Sequence, residues 1–362
     1  MTSPPADILI IIHDFALGGT ERVAVRLANA WVEHGRGITI LAGSGSGPLR
    51  TLVEPGVAVV LADPPIARAH GSRRALARVA RAFATARRFD TIFIPGNFHW
   101  PVAAALAGTG SSVVAQVSAA LDKPQRGRMR QWGFERRMRT LLRDVDAVVT
   151  LSDPARDQAD RIMRTPVART IALPALADAV PPPLPLPEVR PPIVLAAGRL
   201  VPEKGFARLI EAIAALPPET ADLVIVGDGP QAGALVALAK TLRVEDRVTF
   251  AGYVADIRPW LDRTRLFVLA SDFEGYPAVM VEALAAGRPI VATDCTPATR
   301  LLAGSGAGRV VPIGDADALG RAIAAMLAAP APDPDALAAR VAHHRIGPVS
   351  REYLDLFAAV RA

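Results

Sequence analysis

The chain has 362 residues, of which 51% are apolar, 21% charged and 5% aromatic, and its formal net charge is +6. That length suits about two domains of ~150 residues, and that apolar share excludes a chain disordered throughout. No apolar run reaches the roughly 18 residues of a spanning helix, and the single cysteine, Cys295, excludes an intramolecular disulfide and a cysteine-clustered zinc site.

The first seven residues hold Pro4, Pro5 and Asp7 and no basic stretch, so no signal peptide is expected and a cytoplasmic protein is the simplest reading. From there, short β-branched runs alternate with alanine-rich helical stretches, the pattern of an α/β parallel sheet. Strands are expected over residues 8–12, 38–42, 57–61, 91–94, 113–116 and 147–150. Helices are expected over 21–33, 72–87, 101–107, 127–142 and 154–163. The strands are almost continuously apolar, which suits a sheet covered on both faces.

A proline-rich stretch, 181–192, can form neither helix nor central strand and reads as a semi-rigid linker. The α/β pattern then restarts. Strands are expected over 193–197, 223–226, 248–250, 266–270 and 289–293, and helices over 206–216, 231–242, 257–261, 278–286, 316–327 and 349–360. The division expected is therefore an N-terminal Rossmann-like domain (1–180), the linker (181–192), a C-terminal Rossmann-like domain (193–345) and a last helix (346–362). Two such domains joined by a proline hinge imply a cleft, and ligands of open parallel sheets bind at the carboxyl ends of strands.

Charge is uneven. Residues 1–180 hold 23 basic and 15 acidic side chains, and the remainder holds 18 and 20. The excess lies in 68–88 and in 123–143, where Met129, Trp132, Met138, Leu141, Leu142 and Val145 recur at roughly helical spacing. A basic amphipathic helix can lie on an anionic membrane surface, which would make the protein peripheral on the inner face of the cytoplasmic membrane. A solvated arginine face over a packed helix is the plainer alternative. Nucleic acid is not expected as a partner, because no aromatic ladder interleaves the basic residues.

Three stretches carry chemistry. After the strand at 193–197 come Gly198-Arg199-Leu200 and then Glu203-Lys204-Gly205, just before a helix. A guanidinium, an ammonium and a helix N-terminus at one strand end suit a diphosphate, although an exposed Arg and Lys in a βα loop are also ordinary. After the strand at 266–270 come Ser271, Asp272, Phe273, Glu274, Gly275, Tyr276 and Pro277, followed by Ala278, Glu282 and Gly287-Arg288-Pro289. Free backbone N–H groups there can hold an anion or sugar hydroxyls. Gly18-Gly19-Thr20-Glu21-Arg22 follows the first strand, and its glycines allow close backbone approach; it is not the GxGxxG of dinucleotide binding.

The strings GRLVPEKGFARLIEA, LVIVGDGP, VTFAGYV and SDFEGYPAVMVEALAAGRPIVATDC, in that order, with GGTER near the N-terminus, closely resemble the family 4 retaining glycosyltransferases. These are the glycosyl transferases of group 1, and they have the GT-B fold. The resemblance spans residues 8–330 and is tightest in the second domain.

The resemblance implies a metal-independent enzyme with no cofactor, whose domain 1–180 binds the acceptor, whose domain 193–345 binds the nucleotide sugar and whose last helix packs back toward the N-terminal domain. Its donor would be a nucleotide-diphosphate sugar, with UDP favoured over GDP, and its acceptor a glycan or lipid-linked sugar in bacterial polysaccharide or lipopolysaccharide biosynthesis. By position, Arg199 and Lys204 would hold the diphosphate beside Gly198, and Glu282 the ribose. Glu274 and the backbone of Gly275, Tyr276, Pro277 and Ala278 would meet sugar and phosphate. Tyr253 and Val254 would meet the base, and Gly18 and Gly19 would approach the diphosphate. No DxD-type carboxylate pair stands in a suitable loop, and two cations can neutralise a pyrophosphate without a metal.

Two departures stand out. Ser118 occupies the place where many relatives have a His, leaving His13, Asn97 or His99 as candidate sugar contacts. Pro174-Ala175-Leu176 replaces the usual Pro-Asn-Gly turn. The alternatives are a GT-B-fold nucleotide-sugar epimerase, which needs no acceptor, and an inactive sugar-binding scaffold of a glycan-assembly complex.

Overall fold

Residues 8–12, Ile-Leu-Ile-Ile-Ile, offer water no polar face, so the strand they form has to be covered on both sides. In the structure, a computed structural model that describes residues 7–122, 126–304 and 306–361, each of the five is at most 2% exposed. They belong to β1 (Asp7–Ile12), in the interior of a parallel sheet.

The chain divides into two compact units, residues 1–178 with 344–362 and residues 179–343. Pro4, Pro5 and Lys123 lie outside the described residues. The first unit continues through α1 (Gly19–Glu33), β2 (Gly37–Ala42), β3 (Ala58–Leu61), α2 (Ser72–Ala86), β4 (Thr91–Ile94) and α3 (Trp100–Ala103). It goes on with β5 (Ser112–Gln116), α4 (Gly127–Leu141), β6 (Ala147–Thr150), α5 (Asp153–Met163) and β7 (Ala168–Thr170). Among the described residues the strands lie in the order β3-β2-β1-β4-β5-β6-β7, all parallel.

The second unit runs β8 (Ile193–Ala197), α6 (Phe206–Ala214), β9 (Asp222–Val226), α7 (Ala232–Thr241), β10 (Val248–Gly252), α8 (Arg258–Asp262) and β11 (Leu266–Leu269). Then come α9 (Ala278–Ala285), β12 (Ile290–Thr293), α10 (Pro297–Ala303), β13 (Gly308–Val311), α11 (Ala316–Ala328) and α12 (Pro334–Ala339). Its sheet is also parallel, in the order β10-β9-β8-β11-β12-β13. In both sheets the order reverses beside the first strand, between β1 and β4 and between β8 and β11. Loops leaving such neighbours diverge to opposite faces and leave room for a ligand above the carboxyl edge.

Strand ends fall within one or two residues of expectation, and the differences have local reasons. β7 is a three-residue edge strand, Ala-Arg-Thr, with no apolar run to mark it. β13, α10 and α12 are likewise short, and their pattern is broken by Gly304, Gly308 and the prolines near 330–334. The basic stripe is divided: Met138, Leu142 and Val145 are buried, whereas Met129 is 81% and Trp132 56% exposed.

The proline-rich stretch is strapped to the second unit. Arg288, fully buried, donates from Nη1 to Pro185 O at 3.2 Å and to Thr264 O at 3.0 Å, and from Nη2 to Leu184 O. Arg258 donates to Pro181 O at 2.8 Å and also to Pro182 O. A guanidinium has five N–H groups in a fixed fork, and prolines supply carbonyls without competing donors, so an arginine can hold such a segment by its oxygens.

The chain returns to the first unit at His344, whose Nδ1 lies 2.8 Å from Leu173 O. The last helix, α13 (Ile346–Ala359), then packs on α1. Tyr353 and Phe357 meet Trp31 and Phe93 edge-on or tilted, with ring centroids 5.2–6.1 Å apart. Trp31 Nε1 donates to Ser350 O at 3.1 Å, and Tyr353 Oη donates to Gln116 Oε1 at 2.9 Å. Tyr353→Phe removes that donor and leaves Gln116 buried with an unpaired oxygen. The expected cost is about 1–3 kcal/mol in urea unfolding, with unchanged far-UV dichroism.

Candidate active site

In the second unit the loops after adjacent strands are laced together by their backbones. Gly198 N donates to Val226 O at 3.0 Å, Leu200 N to Asp228 O at 2.9 Å, and Gly227 N to Gly252 O at 2.8 Å. On the other side Asp272 N donates to Glu203 O at 2.8 Å. The loop carrying Arg199 and Lys204 is thus held by neighbours on both sides. Two glycines make this possible. A Cβ on Gly227 (φ +140°) would stand 1.9 Å from Gly198 O, and one on Gly205 (φ +66°) 2.1 Å from Ala270 O.

Lys204 Nζ lies 2.5 Å from Glu274 Oε1, and Ser271 Oγ donates to the same oxygen at 2.8 Å. The pair is largely sheltered, the Lys204 and Glu274 side chains being 25% and 14% exposed. Lys204 comes from the loop after β8 and Glu274 from the loop after β11, the two strands at which the order reverses. Arg208 on α6 reinforces the junction by pairing with Asp272 and donating to Ala270 O at 3.3 Å. Thr296 Oγ1 donates to Gly275 O at 3.2 Å and fixes the turn that opens α9.

Arg199 is different. Its side chain is 67% exposed and its contact with Glu203 is a loose 3.8 Å. The two expected cations are therefore unlike: Lys204 is anchored, and Arg199 stands open to solvent. Gly198 ends β8. Pro277 is buried at the cap position of α9, Ala278 is the first helical residue, and Glu282 is half-buried one turn on. The first N–H groups of a helix have no acceptor within it. Tyr276 is half-buried, and burial pushes its phenol above the ordinary range. Burial, then the nearby Glu274 carboxylate, pushes the Cys295 thiol up to about 12, so it stays protonated. Tyr253 is 53% exposed just past β10, with Val254 half-buried beside it.

In the first unit the loops after β1, β4 and β5 carry the remaining candidates. Gly18 precedes α1, and a Cβ on Gly19 would meet nothing within 4 Å, so the backbone there is open. Asn97 Oδ1 accepts from Ser118 N at 2.7 Å, and Thr20 Oγ1 donates to Ser118 Oγ at 3.3 Å. The structure thus brings Thr20, Asn97 and Ser118 into one cluster, with Gly19 the residue before Thr20 in the chain.

His13 and His99 are fully buried, and none of their ring nitrogens has a partner among the described residues. They flank Phe98 edge-on, at 5.6 and 5.2 Å. Arg68 and Arg73 lie 5.0 and 5.1 Å from the centre of the same ring. Arg68 Nε and Nη2 pair with Asp14 at 2.5 and 2.9 Å, and Nη2 also pairs with Glu21. Burial alone would raise the Asp14 pKa; the Arg68 bonds outweigh it, and the net shift is downward.

Sequence reading placed Ser271 and Thr20 in chemistry-bearing stretches without giving them a role, and it missed Arg208 and the Arg68 contacts. Ser271 adjoins Glu274 in the same turn and was within reach. Arg68 is 47 and 54 residues from its two partners, and no local pattern reports such a pairing.

Two parallel sheets with the same reversal of order, and polar loops gathered at their carboxyl edges, define a GT-B-type α/β protein. Comparison with known proteins agrees. The family "Glycosyl transferases group 1" matches residues 191–329 and "Glycosyl transferase 4-like domain" matches residues 18–176. A lipopolysaccharide core biosynthesis glycosyltransferase, LpsE of Rhizobium meliloti, is 39% identical over 38% of this chain and 40% of its own. The chain thus aligns with well under half the length of that relative. An uncharacterized glycosyltransferase of Haemophilus influenzae is 26% identical over 81% of both chains. Among solved structures, Anabaena HepE in complex with UDP and glucose superposes with a TM-score of 0.76 at 19% identity, over 98% of this chain and 100% of that one. Residues 191–329 thus belong to the glycosyl transferases of group 1 and residues 18–176 to the glycosyl transferase 4-like domains.

One titration follows from the first unit. Burial, then the charges of Arg68 and His13, push the His99 pKa down to about 3 from its ordinary 6.5. The unfolded chain binds the proton that the folded chain refuses, so stability falls as pH drops below about 6.5 and continues to fall toward pH 3. Between pH 6.5 and 5 the expected loss from this one group is about 2 kcal/mol. His99→Phe should flatten the dependence of melting temperature on pH in that window, and an unchanged slope would remove His99 as its source.

Proposed function

We propose that this protein moves a sugar from a nucleotide diphosphate to a hydroxyl of a glycan or lipid-linked acceptor, with retention of configuration, in bacterial polysaccharide or lipopolysaccharide assembly. The observation that carries the reading is the Lys204–Glu274–Ser271 cluster at the reversal point of the second sheet, beside the start of α9. Membership in the group 1 transferases, the lipopolysaccharide role of LpsE and the UDP bound to HepE support it.

The acceptor oxygen bonds to the anomeric carbon as the bond to the phosphate oxygen breaks, and the acceptor proton passes to the departing diphosphate. Negative charge builds on that leaving group. Lys204, held by Glu274, and the exposed guanidinium of Arg199 receive it, with the backbone N–H groups of Gly275, Tyr276 and Ala278. Glu282 holds the ribose, and the exposed Tyr253 with Val254 borders the base. A uridine nucleotide is favoured because HepE carries one. Among the described residues no group of three or more His, Cys, Asp or Glu side chains is set to hold a metal.

A thermal-shift screen against UDP, GDP and their sugars identifies the donor, since a ligand that binds only the folded chain raises its melting point. Transfer assays with that donor should show nucleotide diphosphate released only with acceptor; conversion of the sugar without acceptor would indicate an epimerase. Arg199→Ala should lower kcat by about 100-fold, the loss typical of one transition-state donor, and leave the acceptor KM unchanged. Wild-type turnover would remove that role.

The anionic membrane surface is proposed as a partner through α4. Its Arg128, Arg130, Arg136 and Arg137 are exposed together with Met129 and Trp132, and the Arg136 guanidinium lies 5.7 Å from the Trp132 ring centre. Among the described residues no helix is long and apolar enough to cross a membrane. Binding to anionic liposomes should weaken with salt and with Glu at those four arginines. Equal pelleting with neutral and anionic liposomes would count against it.

A further inference from the structure

In the second unit the segment from β8 into α6 brings two cations, Lys204 and Arg208, and the loop from β11 to α9 brings two carboxylates, Asp272 and Glu274. Four such groups can pair in two ways. In the structure Lys204 Nζ meets Glu274 Oε1 at 2.5 Å, and Arg208 Nη2 meets Asp272 Oδ1. The crossed pairing, Lys204 with Asp272 and Arg208 with Glu274, would hold the same charges but put the ammonium elsewhere.

The observed choice is fixed from several sides. Arg208 Nη2 also donates to Ala270 O at 3.3 Å, so one nitrogen is held by two acceptors. Gly205 makes room for this: a Cβ there would stand 2.6 Å from Arg208 Nη2 and 2.1 Å from Ala270 O. Asp272 is held by its backbone as well as its carboxylate, since its N–H donates to Glu203 O at 2.8 Å. Ser271 Oγ, at 2.8 Å, keeps Glu274 on its own side of the loop. The Arg208 and Asp272 side chains are 25% and 30% exposed, so water competes only in part for their charges.

We propose that Arg208 is a positioning residue for the diphosphate subsite of the second unit: by holding Asp272 it removes the competing carboxylate and leaves Lys204 to Glu274. Arg208 itself touches no phosphate; it acts through the place where the Lys204 ammonium stands. Stabilisation of a charged leaving group depends on donors that are in place beforehand, which is what such a neighbour secures. The inference rests on the glycosyltransferase reading and adds one residue to it.

Arg208→Gln and Asp272→Asn, singly and together in the full chain, test it. Arg208→Gln frees Asp272 to draw Lys204 away from Glu274. Asp272→Asn frees the guanidinium to draw Glu274 away from Lys204. Each single substitution is expected to weaken binding of whichever of UDP and GDP the wild type binds by about tenfold, and to lower kcat/KM for transfer in step. The double variant contains neither competitor and is expected to return to within about twofold of the wild type. A merely supporting role predicts no such return: the double variant would bind no better than the weaker single one, and that result overturns the proposal. Wild-type affinity in both single variants overturns it too. Should one single variant not fold, the other single and the double carry the same comparison.

Lys204→Met gives an independent check. With the ammonium gone, adding Arg208→Gln should cost no further affinity; a further loss of about tenfold would mean that Arg208 reaches the ligand by another route, and the proposal falls. A wild-type chain that binds neither nucleotide nor inorganic pyrophosphate strikes the glycosyltransferase reading, and this inference with it. Wild-type binding with an unrestored double variant strikes the inference alone.

Discussion

When strand order reverses in a parallel sheet, the chains leaving the two central strands turn to opposite faces, and a gap is left over the carboxyl edge. In the second unit that gap is spanned by the Lys204–Glu274 ion pair, with Arg208–Asp272 beside it. Lys204 comes from the loop after β8 and Glu274 from the loop after β11, and Ser271 completes the glutamate's bonding. The pair is mostly withdrawn from water, so its members depend on each other: removal of either leaves a sheltered charge without a partner. The pair therefore ties the two loops together, and the open Arg199 and the start of α9 are placed relative to it.

The first unit has the same reversal and fills it differently. Asp14, Glu21 and Arg68 neutralise one another, Arg68 and Arg73 stack on Phe98, and two buried histidines flank that ring. Next to this closed polar core lies the knot of Thr20, Asn97 and Ser118. One unit thus offers cationic groups and helix N–H donors, and the other offers an uncharged amide and an open glycine backbone.

Much of this was legible beforehand. The apolar runs located β1, β4 and β8 because a doubly covered strand has few polar residues. Lys204 after β8 and Glu274 after β11 were legible as charged residues following strand ends, and the fold joins them. Short edge strands such as β7 escaped, since an edge is half exposed and its sequence looks like a loop. The proline-rich stretch looked like a free linker because nothing local announces that Arg288, about a hundred residues on, collects its carbonyls.

The sequence by itself determined the α/β alternation, the two-part organisation, the resemblance to glycosyl transferases and the polar residues that follow the strands, because each is written in local periodicity or in a contiguous motif. Only the tertiary structure decided which of those residues have hydrogen-bonding capacity to spare. Lys204 is closely hydrogen-bonded, whereas Arg199 has a loose 3.8 Å contact with Glu203, and the Ser118 hydroxyl is taken up by Asn97 and Thr20. A hydrogen bond uses up a particular proton or lone pair, and which one is used depends on atoms brought together from distant parts of the chain.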